Sequence, residues 1–415
     1  MEVRPGYKQT EVGVIPEEWR VCRLSQVLAA GPKNGYSGRS GKSASGTPTL
    51  TLTATTSGRM VLNDQTVKQL VETLDARSEV FLRANDVLVQ RSNTLELVGT
   101  TAVFDGPNDV YAYPDLMMRL RFKSGAVGRW FWRYANSSNG RRYFVSVAAG
   151  STGTMPKISG DKLRDMPVPL PPPREQEAIA EALSDADALI ESLEQLVAKK
   201  RQLKQGVMQE LLTGKKRLPG FEIKPSYKQT EVGVIPEDWE VEFIENLAHI
   251  ATGSRNTQDR VDDGQYPFFV RSQTVERINS YSFDGEAVLT AGDGVGTGKV
   301  FHYINGKFDA HQRVYRISDF SERISGYFFY LYFSSHFYGR IMQMTAKSSV
   351  DSVRREMIAR MLIPLPSTKI EQDAIATVLS DMEAEITALE LKLAKALQLK
   401  TGMMQELLTG RVRLV

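Results

Sequence analysis

Two long stretches of the chain carry apolar residues at alternating steps of four and three, the spacing of a helix face that packs against another helix. The first stretch lies in residues 175–214, and four prolines at positions 169, 171, 172 and 173 disfavour helix before about residue 174. The pattern therefore predicts one helix of about 40 residues, or ~60 Å. Its seam positions are Ile179, Leu183, Ala186, Ile190, Leu193, Val197, Lys200, Lys204, Val207 and Leu211.

The same spacing recurs in residues 371–410, which match residues 175–214 at 25 of 40 positions. Two helices of equal length and register in one chain are predicted to pair with each other, in opposite directions, with a pseudo-two-fold relation and one globular domain at each end. The second seam consists of Ile375, Leu379, Met382, Ile386, Leu389, Leu393, Ala396, Lys400, Met403 and Leu407.

Lys204 and Lys400 interrupt the two seams at matching positions, and a glycine lies at an equivalent point inside each helix. Gly206 and Gly402 are equivalent, which indicates either a close approach of the helix backbones or a neutral glycine copied by duplication. Lys200 and Lys204 would be costly in a buried seam. Their ammonium groups are expected to reach solvent, a partner or DNA phosphates, or to lie on an exposed part of the seam.

A second repeat precedes each variable region. Residues 7–19 read YKQTEVGVIPEEW and residues 227–239 read YKQTEVGVIPEDW, identical at 12 of 13 positions. We predict that Trp19 and Trp239 anchor a core rather than stack on bases. The regions that follow, residues 20–165 and 240–362, share only a faint strand–turn–strand rhythm, so near-identical frames carry divergent inserts. This arrangement is typical of two parts that do one task on two different targets.

These patterns predict an α+β chain: two globular mixed α/β domains separated by two long antiparallel helices forming a coiled coil. The first globular domain is placed at residues 1–168, including the segment 7–19. The first helix follows at 169–218, the second globular domain at 219–363 with the segment 227–239, and the second helix at 364–415.

Composition and charge narrow the class of protein. No apolar run approaches the ~18 residues of a membrane span, and Cys22 is the only cysteine, so neither an internal disulfide nor a cysteine zinc site can form. These features favour a cytoplasmic protein. Residues 20–165 contain 20 Lys and Arg against 11 Asp and Glu, whereas residues 240–362 contain 14 against 15. The excess in the first region fits either a polyanion partner or a solvated basic surface.

No catalytic signature is complete. Residues 294–299 (GVGTGK) superficially resemble a phosphate loop, but Asp293 stands where that motif needs glycine and Val300 where it needs Ser or Thr. The four histidines lack zinc-ligand spacing. Glu390 and Lys392 form a nuclease-like Glu-x-Lys motif, but they lie on a predicted helix face. The sequence therefore predicts a binding or assembly protein that is not an enzyme and holds no metal or cofactor.

The doubled order of YKQTEVGVIPE-[ED]-W, a variable region, PLP, EQ-x-AIA and a long helix ending in QELLTG resembles the specificity subunit of type I restriction–modification systems. The resemblance covers nearly the whole chain. The second region departs from the pattern because it is not net basic and because PSTKIEQ replaces PPPREQ.

The resemblance implies that each variable region is a target recognition domain for one half of a split, asymmetric double-stranded DNA site. It implies that the helices fix the gap between the halves and dock modification subunits, two in number. Those subunits would carry S-adenosylmethionine and methylate adenine, while restriction subunits would bring ATP- and Mg-dependent translocation and cleavage. A self-contained type II-like enzyme and a coiled-coil scaffold without DNA are the alternatives, and a salt-sensitive gel shift would separate them.

Candidate DNA contacts are polar and basic residues in loops that follow predicted strands, because Arg suits guanine and Asn or Gln suits adenine. For each of them, a solvated surface loop is the alternative. In the first domain they are Lys33, Asn34, Tyr36, Arg39, Arg91, Ser92, Asn93, Arg141, Arg142, Thr152, Thr154 and Lys157. In the second they are Arg255, Asn256, Arg271, Ser272, Gln273, Lys299, His311, Gln312, Arg313, Lys347, Ser348 and Arg354.

Overall fold

The structure is a computed structural model that describes residues 4–41, 45–148, 155–221, 226–344 and 352–414. It divides into two compact units. The first unit comprises residues 1–194 and 392–415, and the second comprises residues 195–391. Each unit includes part of both long helices, so this division cuts across the four consecutive segments proposed from the sequence.

The first unit contains eleven strands and four short helices among its described residues, followed by the first long helix. They are β1 (Tyr7–Thr10), β2 (Gly13–Pro16), β3 (Arg20–Arg23), α1 (Leu24–Val27), β4 (Leu28–Asn34), β5 (Ser40–Gly41), β6 (Pro48–Leu50), β7 (Val67–Leu70), β8 (Val87–Gln90), β9 (Thr101–Val103), β10 (Met117–Phe122), α2 (Gly125–Ala135), α3 (Ser138–Val147), α4 (Gly160–Arg164), β11 (Pro167–Leu170) and α5 (Pro173–Leu211).

An antiparallel sheet of order β4-β10-β8-β9 forms the centre of the first variable domain, with a smaller sheet of order β5-β7-β6 beside it. Its core contains Trp130, Phe131 and Phe144, all fully buried, from α2 and α3. Trp19 is also fully buried and meets Trp130 edge-on at 5.4 Å between ring centroids, as expected of a core anchor. Strands β3 and β11 pair with each other, so the chain enters and leaves this domain side by side.

The second unit repeats this order with a different sheet. Its elements are β12 (Tyr227–Thr230), β13 (Gly233–Pro236), β14 (Glu240–Phe243), α6 (Ile244–Leu247), β15 (His249–Thr252), β16 (Tyr266–Phe269), β17 (Glu276–Ile278), β18 (Phe283–Ala291), β19 (Phe301–Ala310), β20 (Val314–Ser318), α7 (Gly326–Met344), α8 (Arg355–Ala359), β21 (Leu362–Leu365) and α9 (Lys369–Leu407).

Six strands in the order β15-β20-β18-β19-β16-β17 form the sheet of the second unit. The aromatic helix α7 buries Phe328, Phe329, Phe333 and Phe337 in the core, and Trp239 is fully buried as well. Strand β14 pairs with β21 as β3 pairs with β11. The frame around each variable domain is therefore the same, although the sheets inside differ in size.

Both long helices have 39 residues and are continuous, as the apolar seams predicted. Within the first unit, Asp187 of α5 pairs with Lys400 of α9 at 2.7 Å. Within the second unit, Lys200 pairs with Glu385 at 2.6 Å and Lys204 with Glu383 at 2.5 Å. Within the first unit, Glu175 in the first turn of α5 also pairs with Arg413, which follows α9. In each unit the partner numbers therefore fall as the α5 numbers rise, so the helices run antiparallel, and the seam lysines are neutralised by carboxylates of the facing helix.

The close approach considered for Gly206 and Gly402 is wrong. For both glycines, a Cβ atom would meet no described atom within 4 Å outside its own helix backbone. The glycines therefore occupy open positions, and copying of a neutral residue by duplication accounts for their equivalence.

Candidate nucleic-acid interface

Four loops of the first unit meet at one place, beyond the ends of its central strands. The Gly35 amide donates to the Met117 carbonyl at 3.2 Å, and the Arg91 amide donates to the Leu116 carbonyl at 2.8 Å. The Ile158 amide donates in turn to the Arg91 carbonyl at 2.9 Å. These bonds bring Lys33, Asn34 and Tyr36 together with Arg91, Ser92, Asn93 and Lys157.

The second unit joins its loops with the same hydrogen bonds. The Gly253 amide donates to the Val314 carbonyl at 3.1 Å, the Gly292 amide to the Arg313 carbonyl at 2.8 Å, and the Val353 amide to the Gly292 carbonyl at 2.7 Å. We call this arrangement the loop junction. It comprises residues 33–36, 91–93, 113–117 and 157–158 in the first unit, and residues 253–256, 292–294, 310–314 and 352–354 in the second.

A glycine makes the junction possible in each unit. A Cβ atom on Gly35 would lie 2.1 Å from the Tyr113 carbonyl oxygen, and one on Gly253 would lie 2.0 Å from the Ala310 carbonyl oxygen. Any side chain would push the crossing backbones apart. The two domains therefore share a backbone arrangement that their faint sequence likeness did not reveal.

Different side chains occupy equivalent positions of this shared backbone. Isolated bridges join Ser92 to Lys157 in the first unit and Asp293 to Ser352 in the second, and parallel bridges join Tyr36 to Pro114 and Arg255 to His311. The resulting pairs of equivalent positions are Tyr36 with Arg255, Arg91 with Gly292, Ser92 with Asp293, Leu116 with Arg313, and Lys157 with Ser352. The second unit has one additional residue, Ser254, between the glycine and the first of these positions. The shared backbone of the loop junction thus presents a chemically different surface in each unit.

Charged groups of the second junction centre on Asp293. Its carboxylate accepts a hydrogen bond from Arg271 at 2.8 Å and faces the Arg313 guanidinium at 3.5 Å. The His311 ring is buried beside them and accepts the Arg313 amide at 3.0 Å. Burial, and then the nearby positive charge of Arg271, lower the pKa of His311, which favours the neutral ring at neutral pH.

Polar pairs flank this cluster. Arg255 donates to the fully buried carboxylate of Asp309 at 3.0 Å, and the Gln312 amide donates to Asn256 at 2.8 Å. Arg354, the last residue of the junction, is exposed. Arg255, Asn256, Arg271, His311, Gln312 and Arg313 are therefore brought together, with His311 inside the cluster rather than on its surface.

The first junction contains as many charged residues as the second, namely Lys33, Arg91, Asp115 and Lys157. Lys33 pairs with Glu79, and Asn34 is exposed on β4. The side-chain amide of Asn93 donates a hydrogen bond to Gln90 Oε1 at 2.6 Å. The Nε2 atom of Gln90 donates in turn to the Leu52 carbonyl at 3.0 Å. These contacts hold the Lys33 and Asn93 side chains in fixed positions, whereas the Ser92 side chain is buried and lies inside the junction rather than on its surface.

Several predicted residues lie away from the junctions. Arg141 donates to the Val98 carbonyl at 2.5 Å and to the Glu96 carbonyl at 2.9 Å, so its guanidinium already supports a loop, and burial lowers its pKa. Arg142 lines a cavity of about 930 Å³ together with the last turn of α9. The exposed Arg39 supplies a backbone carbonyl to the Val71 amide.

The remaining predicted residues are exposed or lie outside the described residues. The Lys299 ammonium lies 5.4 Å from the Tyr338 ring centroid, and Ser272 and Gln273 are exposed in the loop after Arg271. Thr152, Thr154, Lys347 and Ser348 fall outside the described residues.

Sequence reasoning missed a buried ionic contact at the ends of the long helices. In the second unit, Arg217 donates to Glu371 at 2.8 Å and to Asp238 at 2.9 Å. In the first unit, the equivalent Arg413 binds Glu175 at 2.5 Å, and Trp19 Nε1 donates to the same carboxylate at 2.9 Å. The sequence signal was available, because the offset of 196 between the helices also relates both arginines and both glutamates.

Metal-binding clusters and membrane-spanning helices are absent from the described residues. Among them, no three His, Cys, Asp or Glu side chains are grouped so that they could hold a metal ion. No described helix has the length and apolar character needed to cross a membrane.

Comparison with known proteins agrees with this geometry. The chain is 23% identical over 427 residues to a putative type I restriction enzyme MjaX specificity subunit of Methanocaldococcus jannaschii, covering 98% of this chain and 97% of the relative. It is 27% identical over 360 residues to the MjaVIII specificity subunit of the same organism, covering 81% of each chain. A stretch of 180 residues is 32% identical to the type I restriction enzyme EcoDI specificity subunit of Escherichia coli, covering 43% of this chain and 38% of the relative.

Solved structures show the same fold. The type I restriction–modification S subunit from M. genitalium aligns over 98% of both chains with a TM-score of 0.64 at 12% identity. A chain from a structure of the type I R-M system aligns over 96% of this chain and 99% of that chain, with a TM-score of 0.52 at 15% identity. The family model described as "Type I restriction modification DNA specificity domain" matches residues 16–204 and 236–399. With two matches spanning most of its length, the chain belongs to the family of type I restriction modification DNA specificity proteins.

Proposed function

We propose that this chain recognises DNA for a type I restriction–modification complex, with each variable domain reading one half of a bipartite, asymmetric site. The observation that carries the proposal is the shared loop junction. Equivalent backbone positions hold Tyr36, Ser92 and Leu116 in one unit but Arg255, Asp293 and Arg313 in the other. Side chains that differ on a common backbone would read different bases in the same manner.

The proposal includes partners that supply the chemistry. Modification subunits, two in number, dock on the helices and bring S-adenosylmethionine for adenine methylation, and restriction subunits bring ATP and Mg²⁺. This chain supplies no catalytic group. The duplicated frame supports the number two, because residues 7–19 and 227–239 are identical at 12 of 13 positions and so offer nearly the same sequence twice.

Sequencing the methylated positions in the genome of a host that expresses this chain with its modification subunits tests the proposal. The expected result is one split motif with two unlike halves separated by a fixed gap. A continuous or palindromic motif, or methylation without sequence preference, would contradict it. A host expressing the modification subunits alone is the control and should show no such motif.

The helices are proposed to set the gap. One heptad inserted between residues 194 and 195 of α5 and another between residues 391 and 392 of α9 would lengthen both helices at facing positions, as the ion pairs of each unit indicate. Seven residues add ~10 Å, which is about three base pairs of duplex. The motif should then keep both halves with a gap about three base pairs longer. An unchanged gap would refute the proposal that the helices set the distance between the half-sites. An insertion in α5 alone should abolish recognition, because it breaks the pairing between α5 and α9.

A further inference from the structure

The second loop junction contains two arginines that share one carboxylate. Asp293 binds Arg271 through a 2.8 Å hydrogen bond, whereas its other oxygen lies 3.5 Å from Arg313. The Arg271 side chain is 47% exposed and that of Arg313 is 64% exposed. Arg313 is therefore the freer of the two, and most of its five N–H donors remain available to a ligand.

The backbone fixes the position of this carboxylate. Asp293 forms a bridge with Ser352, and the adjacent Gly292 donates to the Arg313 carbonyl and accepts from the Val353 amide. A Cβ atom on Gly292 would lie 2.9 Å from the Arg313 carbonyl oxygen, so the two strands approach more closely than most residues allow. Asp293 and Arg313 are thus held in register by three backbone contacts before any ligand arrives.

The mixed charge of the cluster favours a base edge over a phosphate. A carboxylate between two arginines repels phosphate oxygens and would weaken a clamp on the DNA backbone. The same carboxylate lies 3.5 Å from the Arg313 guanidinium, an ionic contact that leaves the fork free to match the O6 and N7 acceptors of guanine in the major groove. The buried His311, with its lowered pKa, adds no positive charge near neutral pH that would draw in a phosphate.

The first junction differs at both positions. Ser92 stands where the second unit has Asp293, and Leu116 stands where it has Arg313. Neither side chain can present a charged fork. A guanine contact from the position of Arg313 therefore belongs to the second unit alone, whereas the arginine of the first junction, Arg91, stands at the position of Gly292.

We propose that Arg313, positioned by Asp293, selects a guanine in the half-site read by the second unit. The inference rests on the proposed function and makes it specific, since it names a base, the residue that reads it and the half-site that contains it. Asp293 acts as a positioning residue, and Arg271 holds the Asp293 carboxylate by donating a hydrogen bond to its other oxygen.

The test uses the full chain co-expressed with its modification subunits, with methylated motifs sequenced for each variant. For Arg313→Ala, we expect one guanine in one half of the motif to become degenerate while the other half stays unchanged. Discrimination against other bases at that position should fall by roughly 5- to 150-fold, which corresponds to ~1–3 kcal/mol for a bidentate contact. Arg313→Lys keeps the charge but not the fork, so it should relax the same position. Asp293→Asn should relax it to a smaller extent.

Arg323→Ala is the matched control. Arg323 is 47% exposed, against 64% for Arg313, and it also forms ion pairs at the surface, with Glu240 and Glu242, but it lies beside β14 rather than at the junction. Its removal should leave the motif unchanged.

Three results would overturn the proposal: an unchanged motif in active Arg313→Ala, a motif restored in full by Arg313→Lys, or a second half-site without guanine. Uniform weakening on all sequences, with the salt dependence of binding reduced by about one charge, would assign Arg313 to a phosphate instead. If the parent complex yields no split motif, the proposed function itself fails, and that outcome is distinct from all of these.

Discussion

Replacing Arg217 by alanine tests how the second unit holds the end of one long helix against the start of the other. Arg217 follows α5, its side chain is only 4% exposed, and it binds Glu371 in the first turn of α9. Glu371 is buried too, and burial raises the pKa of its carboxyl above the usual range despite the adjacent guanidinium. Without Arg217, this carboxylate would remain buried with no counter-charge.

Such a loss costs about 3–5 kcal/mol, because the remaining charge keeps its desolvation penalty and loses its attraction. The double variant Arg217→Met with Glu371→Gln should recover the part of that stability that is due to Glu371, since position 371 is then uncharged, while Asp238 keeps its hydrogen bond from Ser367. The cost should also depend on pH. An acid whose pKa is higher in the folded than in the unfolded state stabilises the fold at low pH and loses that contribution as pH rises toward the folded value. Removing Arg217 raises this pKa further, so the penalty should be larger near pH 8 than near pH 5.

The assay must observe one unit at a time, because two units need not unfold together. Trp239 is the only tryptophan in residues 195–391, while Trp19, Trp130 and Trp132 lie in the first unit. Fluorotryptophan labelling with fluorine NMR therefore reports the second unit through a single resonance during a urea titration.

The equivalent variant Arg413→Ala provides a comparison in the first unit. The Arg413 side chain is 23% exposed, and Glu175 keeps its hydrogen bond from Trp19, so the loss should be smaller and should appear in the Trp19 resonance. A loss below about 0.5 kcal/mol for Arg217→Ala, or an equal penalty at both pH values, would refute the reasoning.

Three further results are expected. Gly206→Ala and Gly402→Ala should each raise the free energy of unfolding by up to ~1 kcal/mol, because a Cβ atom meets nothing there, and any destabilisation in urea titrations would contradict this. Gly253→Ala should lower the affinity for the specific site by at least about tenfold in salt-matched gel shifts, because its Cβ would lie 2.0 Å from the Ala310 oxygen, and unaltered affinity would argue against the junction. Since burial lowers the pKa of His336, the unfolded state binds more protons below about pH 6.5, so the second unit should lose stability on acidification and His336→Gln should lessen that loss in urea midpoints.

The long helices were predictable because their signal is local. Steps of four and three between apolar residues define the packing face, and Leu183 and Leu379 are fully buried as that pattern required. The first helix begins at Pro173, within the proline run, because proline fits the first helical position. The open space around Gly206 was not predictable, because a sequence does not state how far the facing helix lies from one position.

The loop junction was only partly predictable. Polar loop residues after strands were found, but the contact of Gly35 with residue 117 joins parts of the chain too distant for any local pattern. Arg141 looked like a DNA contact because an arginine that binds backbone carbonyls has the same sequence neighbourhood as one that points to solvent. The equivalence of Ser92 with Asp293 emerged only from backbone bridges, since the side chains differ.

The pairing of β3 with β11, and of β14 with β21, has a consequence for how this protein can change its target. An antiparallel ladder holds the two ends of each variable domain about 5 Å apart, outside the helices and outside the repeated frame. A foreign domain whose own ends are one strand spacing apart can be grafted between residues 23 and 167 without moving either end. New specificities can therefore arise by exchange of a whole variable domain, which changes one half-site at a time, while the helices and the repeated segments keep their dimensions.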